Sequence, residues 1–495
     1  MTRLFAIVLI LVCAVVPVFA HATLGDTLSG VVRGTTATNH TYFVRDSLII
    51  NPSDTLVISS GDTLIMQSPL GWIHILGTLI CDGSSTNRNV ITVPASRGVL
   101  GPGQWGGIVG DSCKYFEMKY TNVYWAGGND VSGHAYRTID IYSDYANTTS
   151  TVFTDDYVVG TVDDCIGLHG GTASVLRNVI KWCGAPDGDN INVKDGTIGE
   201  IAYNVIWASG GNGIKLNADP TLPRLTNMCV HNNTIVAGGW RRFDELGYAI
   251  LVDASARAQI YNNIMGDMYE ELEITSAADT VRTVYDNNLF FSSADSLGGL
   301  TRFYPSDGVG RQAPHDVIAV SPNILFKSYR PYFANDWTML DGSNDYRILS
   351  ASAAAGHGFT PPNPTGANHW TNPYFGNAST NLPGDANIGA LAVATVASGV
   401  GNRDGGSVSS FSLNQNYPNP FNPSTVISYQ VPTNTRVNIV VFDLLGREVK
   451  SLVNGQQSAG FHTVTFDASA LPSGVYLYRL EAGSYSATRK MLLLK

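Results

Sequence analysis

The stretch Val175-Leu176-Arg177-Asn178-Val179-Ile180 decides the fold, because its pattern returns further along the chain. The pattern is an apolar residue, two variable positions, Asn, one variable position and a second apolar residue. Its copies place an asparagine at intervals of 26, 29, 30 and 25 residues, at Asn178, Asn204, Asn233, Asn263 and Asn288. A residue that returns at nearly constant spacing is typical of stacked repeats. The sequence therefore predicts a solenoid.

Each repeat contains short β-branched runs separated by Gly or Asn, as in residues 198–207, 213–216 and 249–252. Three short strands and three turns per repeat make one coil of a parallel β-helix, in which equivalent residues of adjacent coils lie about 4.8 Å apart. At that spacing, stacked Asn side chains hydrogen-bond to one another along the axis. We therefore interpret the five repeated asparagines as an architectural ladder and not as ligands.

Further motifs of the same kind lie near both ends of this region. They are Leu56-Val57-Ile58, Gly77-Thr78-Leu79 and Trp105-Gly106-Gly107-Ile108 near the start, and residues 345–349 and 385–390 near the close. Together with the asparagine repeat, they resemble the right-handed parallel β-helix proteins of the pectate-lyase-like superfamily, over roughly Asp26 to Leu391. The resemblance implies a right-handed parallel β-helix over residues 23–391, with residues 345–349 and 385–390 in its last coil.

Residues 1–22 are predicted to be a signal peptide, since Arg3 precedes an apolar run and a small-residue cleavage site. The run is too short to span a bilayer, and no later segment is apolar enough, so we expect no transmembrane segment after signal removal. The exported chain then keeps an odd number of cysteines, at least one of which stays unpaired or pairs between chains. A formal net charge of −10 speaks against nucleic acid as a partner.

The composition changes after the predicted solenoid. Residues 392–410 are rich in Gly and Ser and are predicted to be a linker, and residues 411–495 alternate like the strands of a small immunoglobulin-like β-sandwich. This last region contains, in order, Tyr417, Pro418, Asn419, Pro420, Phe421, Gly446, Gly474, Tyr476, Lys490 and Lys495. These residues and their neighbours resemble the type A C-terminal sorting domain of the type IX secretion system.

That second resemblance implies a route and partners. The protein is expected to cross the periplasm and to reach the outer cell surface or the extracellular space. Its implied partners are the type IX secretion machinery and a surface sortase that removes the sandwich.

The best candidates for catalysis lie in residues 162–171 and just after them. Asp163 and Asp164 offer two carboxylates for general acid and base work on a glycoside, with His169 or Lys181 assisting. The Asp-Asp-Cys-Ile piece resembles the corresponding segment of polygalacturonase-type hydrolases, although those enzymes place the His motif a full coil later. The alternative is that Asp163 and Asp164 form only a solvated corner of the solenoid.

Two further predictions concern binding. Trp207 and Trp240 are candidate platforms for sugar rings, because exposed flat rings pack against pyranose faces; the alternative is that loops cover both. The acidic loop of Asp187, Asp189 and Asp195 makes calcium possible, but its spacing does not fit an EF-hand and no metal or cofactor is assigned.

These observations leave two functions open. The first is a surface-delivered β-helix protein that binds polysaccharide without catalysis. The second is a polysaccharide lyase or glycoside hydrolase that acts in a groove on the β-helix. They differ in geometry, because an enzyme brings Asp163, Asp164 and a cation together in one open groove.

Overall fold

The computed structural model of the protein divides the chain into two compact units, residues 1–396 and 397–495, which are described separately. The structure describes residues 24–97, 103–128, 137–143, 150–160, 162–184, 188–238, 247–292, 303, 308–319, 325–328, 345–348, 352–356, 358, 387–390, 411–413, 416, 423–443, 446–457, 460–483 and 485–493. The predicted signal peptide, residues 1–22, and the predicted linker, residues 392–410, lie outside these ranges.

The N-terminal unit, called the solenoid below, is built almost entirely from short strands. They are β1 (Thr27–Val31), β2 (Gly34–Thr35), β3 (Thr41–Ile50), β4 (Thr55–Ile58), β5 (Thr63–Met66), β6 (Trp72–Ile75), β7 (Thr78–Asp82), β8 (Asn89–Thr92), β9 (Gly107–Asp111), β10 (Tyr115–Lys119), β11 (Thr121–Tyr124), β12 (Ile139–Tyr142), β13 (Ser150–Thr154), β14 (Tyr157–Val159), β15 (Ile166–His169), β16 (Thr172–Leu176), β17 (Val179–Lys181), β18 (Ile191–Lys194), β19 (Ile198–Ala202), β20 (Val205–Trp207), β21 (Ile214–Leu216), β22 (Asn227–His231), β23 (Thr234–Val236), β24 (Tyr248–Val252), β25 (Arg257–Tyr261), β26 (Ile264–Gly266), β27 (Glu270–Ile274), β28 (Val284–Asp286), β29 (Leu289–Phe291), β30 (Val317–Ala319), β31 (Phe326–Ser328) and β32 (Asp345–Ile348). One 3₁₀ turn, Ala95–Arg97, interrupts them.

Parallel pairing arranges these strands into three faces. Face 1 consists of β6, β9, β12, β15, β18, β21, β24 and β27; face 2 of β2, β4, β7, β10, β13, β16, β19, β22, β25 and β28; and face 3 of β5, β8, β11, β14, β17, β20, β23, β26, β29 and β30. The chain visits the faces in turn, so each strand pairs with the strand one coil away. The predicted all-β fold, with a parallel β-helix, is confirmed.

Alternation within each strand builds the core. On face 1 the inward position of four successive coils is Ile166, Ile191, Ile214 and Ile250, which lie in register and are fully buried. Burial of one such side chain stabilises the fold by about 1.5–3 kcal/mol. The stacked apolar columns therefore hold the coils together.

The five repeated asparagines lie at the corner between faces 2 and 3. In each pair of neighbours the side-chain Nδ2 donates to the Oδ1 of the next coil's asparagine, at 2.9–3.0 Å. The same Oδ1 also accepts the backbone N–H of the previous coil's asparagine, at 2.9–3.1 Å. One carboxylate continues the ladder at its far end, where the backbone N–H of Asn288 donates to Asp316 at 2.9 Å.

Thr121 and Asp156 occupy the equivalent positions of the two preceding coils, and the residue just before each of these seven positions has a left-handed backbone. This holds for Tyr120 (φ 45°), Asp155 (φ 59°), Arg177 (φ 56°), Tyr203 (φ 58°), Asn232 (φ 51°), Asn262 (φ 57°) and Asn287 (φ 56°). A left-handed conformation costs a side-chain-bearing residue on the order of 1–2 kcal/mol, so the stacked corner must hold it in place. Among these residues Arg177 is exposed and Tyr120 and Asp155 are half-buried.

Later segments of the chain cover part of the outer side of face 3. Leu325, Phe326 and Ile348 belong to one buried cluster with outward side chains of face 3 that include Trp207 and Phe291, and the rings of Phe326 and Phe291 lie with centroids 5.7 Å apart. Strands β31 and β32 pair with each other antiparallel, and so the described part of residues 345–349 is not a further parallel coil. The expectation of a last coil at 345–349 is therefore wrong; the apolar outer surface of face 3 needs a cover, and this segment supplies it.

The C-terminal unit contains β33 (Ser412–Leu413), β34 (Ser424–Val431), β35 (Thr435–Phe442), β36 (Glu448–Gln457), β37 (Gly460–Asp467), β38 (Gly474–Ala482) and β39 (Tyr485–Leu493). They form two antiparallel sheets in the orders β33-β34-β37 and β36-β35-β38-β39. One core, with Ile427, Ile439 and Tyr478 fully or almost fully buried, lies between them. The unit is a small β-sandwich.

Candidate functional site

Asp164 lies at the corner that leads into β15 and is 4% exposed. Its Oδ2 accepts hydrogen bonds from Arg137 Nε at 2.8 Å and Asn192 Nδ2 at 2.9 Å, and its Oδ1 accepts the backbone N–H of Asp189 at 2.8 Å. Three donors of the protein thus hold a carboxylate that the sequence predicted to act on a substrate. This arrangement favours a structural role for Asp164.

His169 joins the same network from the end of β15. Its Nδ1 lies 2.7 Å from Asp195 Oδ2, and its Nε2 lies 2.7 Å from Arg137 Nη1 and 3.2 Å from Asp140 Oδ1. Its ring also stacks on Tyr142, with centroids 4.0 Å apart. Burial by itself would lower the pKa of His169, but the hydrogen bonds to Asp140 and Asp195 raise it above its ordinary value.

The raised pKa of His169 makes stability depend on pH. A histidine that holds its proton more tightly when folded stabilises the fold fully below its unfolded pKa, near 6.5, and loses that contribution as the pH rises through its folded pKa. We expect the unfolding free energy of the wild type to fall over this interval relative to that of His169→Gln. Denaturant titrations at a series of pH values measure the difference. Identical pH slopes in the two proteins would contradict the assignment.

Gly167 explains how Arg137 reaches across β15. A Cβ atom at position 167 would overlap Asp140 Oδ1 and would lie too close to the Arg137 side chain. Glycine therefore leaves the space in which Arg137 lies, between Asp140 and Asp164. Within the Asp-Asp-Cys-Ile-Gly segment, Asp164 therefore binds the arginine of the preceding coil and Gly167 leaves room for it.

Asp189 is the second buried carboxylate of the network and is 5% exposed. Its Oδ1 accepts both the backbone N–H and the Nδ2 of Asn212, at 2.7 and 2.8 Å, while Asn192 Nδ2 bridges it to Asp164. Burial and the nearby charge of Asp164 raise the pKa of Asp189 to about 6. Two carboxyl groups with unequal environments thus lie side by side.

The other sequence-predicted catalytic residues are placed differently. Asp163 is half-buried, and its charge acts on Arg137. Lys181 lies on face 3 and is 3% exposed, with its Nζ 4.9 Å from the ring centroid of Tyr157 and 5.2 Å from that of Trp207. The network thus joins Asp164 to His169 through Arg137, while Lys181 packs between aromatic rings.

The structure describes only some of the predicted binding residues. Trp207 is 6% exposed and belongs to a buried apolar cluster on the outer side of face 3, so its ring is not open to a sugar. Trp240 and Asp187 lie outside the described residues. Asp189 is bound by Asn212, and Asp195 by His169. Within the described ranges no group of three or more His, Cys, Asp or Glu side chains is placed to hold a metal ion.

A disulfide between Cys165 and Cys183 fastens the start of β15 to the turn that follows β17. Cys81, Cys113 and Cys229 are free and buried. A disulfide is compatible with an exported chain.

An open cleft of about 410 Å³ lies on face 3, and none of the described residues of the closing segments lines it. Its lining residues come from four successive coils and are Arg88, Tyr120, Asn122, Tyr124, Asp155, Asp156, Tyr157, Arg177 and Val179. The rings of Tyr124 and Tyr157 lie side by side, with centroids 5.7 Å apart and an interplanar angle of 54°. Burial raises the pKa of both tyrosines, so both hydroxyls keep their protons at neutral pH.

Sequence reasoning missed both Arg137 and this cleft. A signal existed for Arg137, because Arg137-Thr-Ile-Asp140-Ile aligns with Asp164-Cys-Ile-Gly167-Leu one coil later. A signal existed for the cleft as well, since Asn122 and Tyr124 alternate with buried Val123. What the sequence did not show is which part of face 3 stays open.

Comparison with known proteins decides the nature of the C-terminal unit. The sequence model of one family, described as a secretion system C-terminal sorting domain, matches residues 415–494. The unit is a type IX sorting domain. The same comparisons match the chain to no curated protein and to no solved structure.

The sorting domain directs export through the type IX secretion system to the cell surface or the extracellular space. Of its predicted motif residues, Gly446 has a left-handed backbone (φ 76°) in a turn where its N–H donates to the carbonyl of Asp443 at 3.0 Å. The Tyr476 hydroxyl donates to the carbonyl of Pro472 at 2.8 Å. Gly474 and Lys490 lie in β38 and β39, whereas residues 417–421 and Lys495 lie outside the described ranges.

No helix among the described residues is long and apolar enough to cross a membrane.

Proposed function

We propose that this exported protein binds polysaccharide through the cleft on face 3. The observation that carries the proposal is the pair of half-buried rings, Tyr124 and Tyr157, on one wall of a cleft about 410 Å³ in volume. Aromatic rings that are open on one side pack well against the apolar faces of sugars. Arg88, Asn122 and Arg177 add polar groups that fix orientation, as ligand clefts usually require.

The acidic network supports binding over catalysis. A general acid or base must reach the atom to which it transfers a proton. Asp164 and Asp189 are 4% and 5% exposed, and protein donors occupy their oxygens. On this proposal the surface sortase implied by the sorting domain releases or attaches the solenoid, which then presents the cleft outside the cell.

The proposal predicts that Tyr157→Ala weakens binding to polysaccharide by about tenfold, equivalent to about 1.4 kcal/mol. Affinity electrophoresis of the full chain in gels that contain neutral and acidic polysaccharides measures the change. Tyr142→Ala is the matched control, because Tyr142 is a 41% exposed tyrosine on face 1. A loss caused by Tyr142→Ala and not by Tyr157→Ala would place the binding surface on face 1 instead.

The second candidate function is a polysaccharide hydrolase or lyase. It is favoured by one observation, the raised pKa of Asp189, about 6, beside the carboxylate of Asp164. A screen of the full chain for reducing sugars and for unsaturated products, with and without calcium, tests it. Turnover that disappears in Asp164→Asn and Asp189→Asn would establish the enzyme and would overturn a purely binding role.

A further inference from the structure

A disulfide closes one complete coil of the solenoid into a covalent ring. Cys165 lies directly before β15, and Cys183 lies two residues after β17, so the ring contains one strand from each of the three faces. The two cysteines are 18 residues apart in the chain. The bond therefore fixes the outline of one coil without help from the coils on either side of it.

The corners inside this ring are short. Gly170 and Gly171 alone separate β15 from β16, and both have left-handed backbones, with φ 72° and 68°. Arg177 (φ 56°) and Asn178 separate β16 from β17, and Trp182 (φ 59°) turns the chain after β17. Short corners keep the entropy cost of closing the coil low, because that cost rises with loop length. This coil can therefore form before its neighbours at a low cost.

Both cysteines are fully buried once the coils have stacked. Cys165 and Cys183 are 0% exposed and belong to the main apolar cluster of the solenoid. The backbone N–H of Cys165 donates to the carbonyl of Asp189 at 2.9 Å, and the carbonyl of Cys183 accepts the N–H of Gly210 at 2.7 Å. Asp189 and Gly210 both belong to the next coil. Stacking of that coil thus covers the two cysteines.

Formation of a disulfide needs sulfur atoms that an oxidant can reach. The thiolate of one cysteine attacks the disulfide of the oxidant, which gives a mixed disulfide and releases one thiolate of the oxidant. The second cysteine attacks the mixed disulfide, so the protein gains its S–S bond. The oxidant leaves as a dithiol, with the two electrons and the two protons of the cysteines. The mixed disulfide needs room that two fully buried cysteines do not have.

We propose that the oxidation of Cys165 and Cys183 precedes the stacking of the coils, and that the ring of β15, β16 and β17 is the template onto which the neighbouring coils stack. The reaction that must act on the chain first is thiol–disulfide exchange with a disulfide-bearing oxidant. An exported chain passes through compartments in which such oxidants act. This order of events does not depend on what the face 3 cleft binds.

The distances along the chain favour the correct pair while the chain is still unfolded. Cys81 and Cys113 are 32 residues apart, and Cys183 and Cys229 are 46 apart. The pair at 18 residues closes about two- to fourfold more readily than either of these, by the length dependence of loop closure. In the folded solenoid Cys81, Cys113 and Cys229 are buried, and burial raises the pKa of Cys113 to about 12. Folding thus removes the competing thiols from exchange.

The first test follows the order of the two events in the full chain. The protein is unfolded in urea, reduced and refolded by dilution, with oxidised glutathione added either at the start or after the tryptophan fluorescence has become constant. Alkylation and mass spectrometry measure the Cys165–Cys183 bond. We expect the bond to form at least about tenfold more slowly after late addition, because burial blocks exchange.

Each outcome of this test decides the order. Equal rates of bond formation would show that the folded solenoid admits the oxidant, and would overturn the proposal. A reduced chain that does not refold at all would support it, because folding would then depend on prior oxidation.

The second test shows when the ring acts. Cys165→Ala/Cys183→Ala removes the ring, and Cys81→Ala/Cys229→Ala is the matched control, because it replaces two buried cysteines that are free. Folding and unfolding rates of the full chain in urea are followed by tryptophan fluorescence. An interaction present in the folding transition state changes the folding rate, whereas one that forms later changes the unfolding rate.

We expect the ring variant to fold at least about tenfold more slowly than the wild type and to unfold at nearly the same rate. The control should keep a folding rate close to that of the wild type. A change confined to the unfolding rate of the ring variant would overturn the template role. Equal slowing of both variants would assign the effect to lost core packing and would overturn it as well.

Discussion

Replacing Asn233 with alanine is expected to lower the free energy of unfolding of the solenoid by about 4 kcal/mol. Asn233 is fully buried, and its Nδ2 donates to the carbonyls of Ile201 and His231 and to Asn263 Oδ1, at 2.9–3.0 Å. Its Oδ1 accepts two hydrogen bonds from Asn204. Alanine removes all five hydrogen bonds and leaves the buried backbone N–H of Asn204 without its Oδ1 acceptor, and a buried polar group that loses its partner costs about 1–3 kcal/mol.

Tryptophan fluorescence reports on the solenoid alone. All eight tryptophans precede the sorting domain, the last of them at position 370. Urea titrations of the full chain, followed by this signal, therefore measure the effect of Asn233→Ala without interference from the C-terminal unit. The control is Asn87→Ala, because Asn87 makes its side-chain hydrogen bond to Asn39 at the surface. A change below about 1 kcal/mol in both variants would show that the ladder contributes little to stability.

The second large effect is expected at Arg137. Arg137→Met should lower the free energy of unfolding by about 3–5 kcal/mol, because it leaves the carboxylates of Asp140 and Asp164 buried without their cation. Burial by itself lowers the pKa of Arg137, but the two carboxylates raise it by more than burial lowers it. The guanidinium therefore stays charged. The same urea titration measures the loss.

Two further variants make the Arg137 prediction specific. Arg282→Met removes an exposed ion pair to Asp279 and should change stability by less than about 1 kcal/mol. The double variant Arg137→Met/Asp164→Asn should be less destabilised than the sum of the single variants, because the two residues share one contact. Additive losses would mean that Arg137 and Asp164 act independently, contrary to the 2.8 Å ion pair.

The fold could be predicted because each coil of a solenoid has nearly the same length, so equivalent residues recur at a nearly constant interval in the sequence. The ladder asparagines recur every 25–30 residues since each coil must return to the same corner, where a buried amide finds its partners one coil away. Alternation within β17 and β20 likewise follows from the pleat of a strand. Local rules of this kind act over one coil and are visible in the linear sequence.

The candidate site was harder to predict, because it depends on contacts between coils. The sequence suggests that Asp164 is a free catalytic carboxylate. In the structure, Arg137, which lies 27 positions earlier in the chain, binds it. From the sequence, Trp207 is expected to be outward and available; it does lie on the outer side of face 3, but it belongs to a buried apolar cluster there and is 6% exposed. Alternation specifies which side of a strand a residue occupies; it does not specify what packs on that side.

By itself, the sequence determined three properties of this protein: a parallel β-helix, an asparagine corner, and a C-terminal sorting domain that sends the chain out of the cell. Each of them follows from a local repeat or from motifs in a fixed order. Only the tertiary structure decided that Asp164 is paired with Arg137, that Trp207 is buried, and that Tyr124, Tyr157, Arg88 and Arg177 line one open cleft. The physical reason is that charge pairing and surface covering are set by residues from different coils and from the closing segments, whose positions relative to one another arise only when the chain folds.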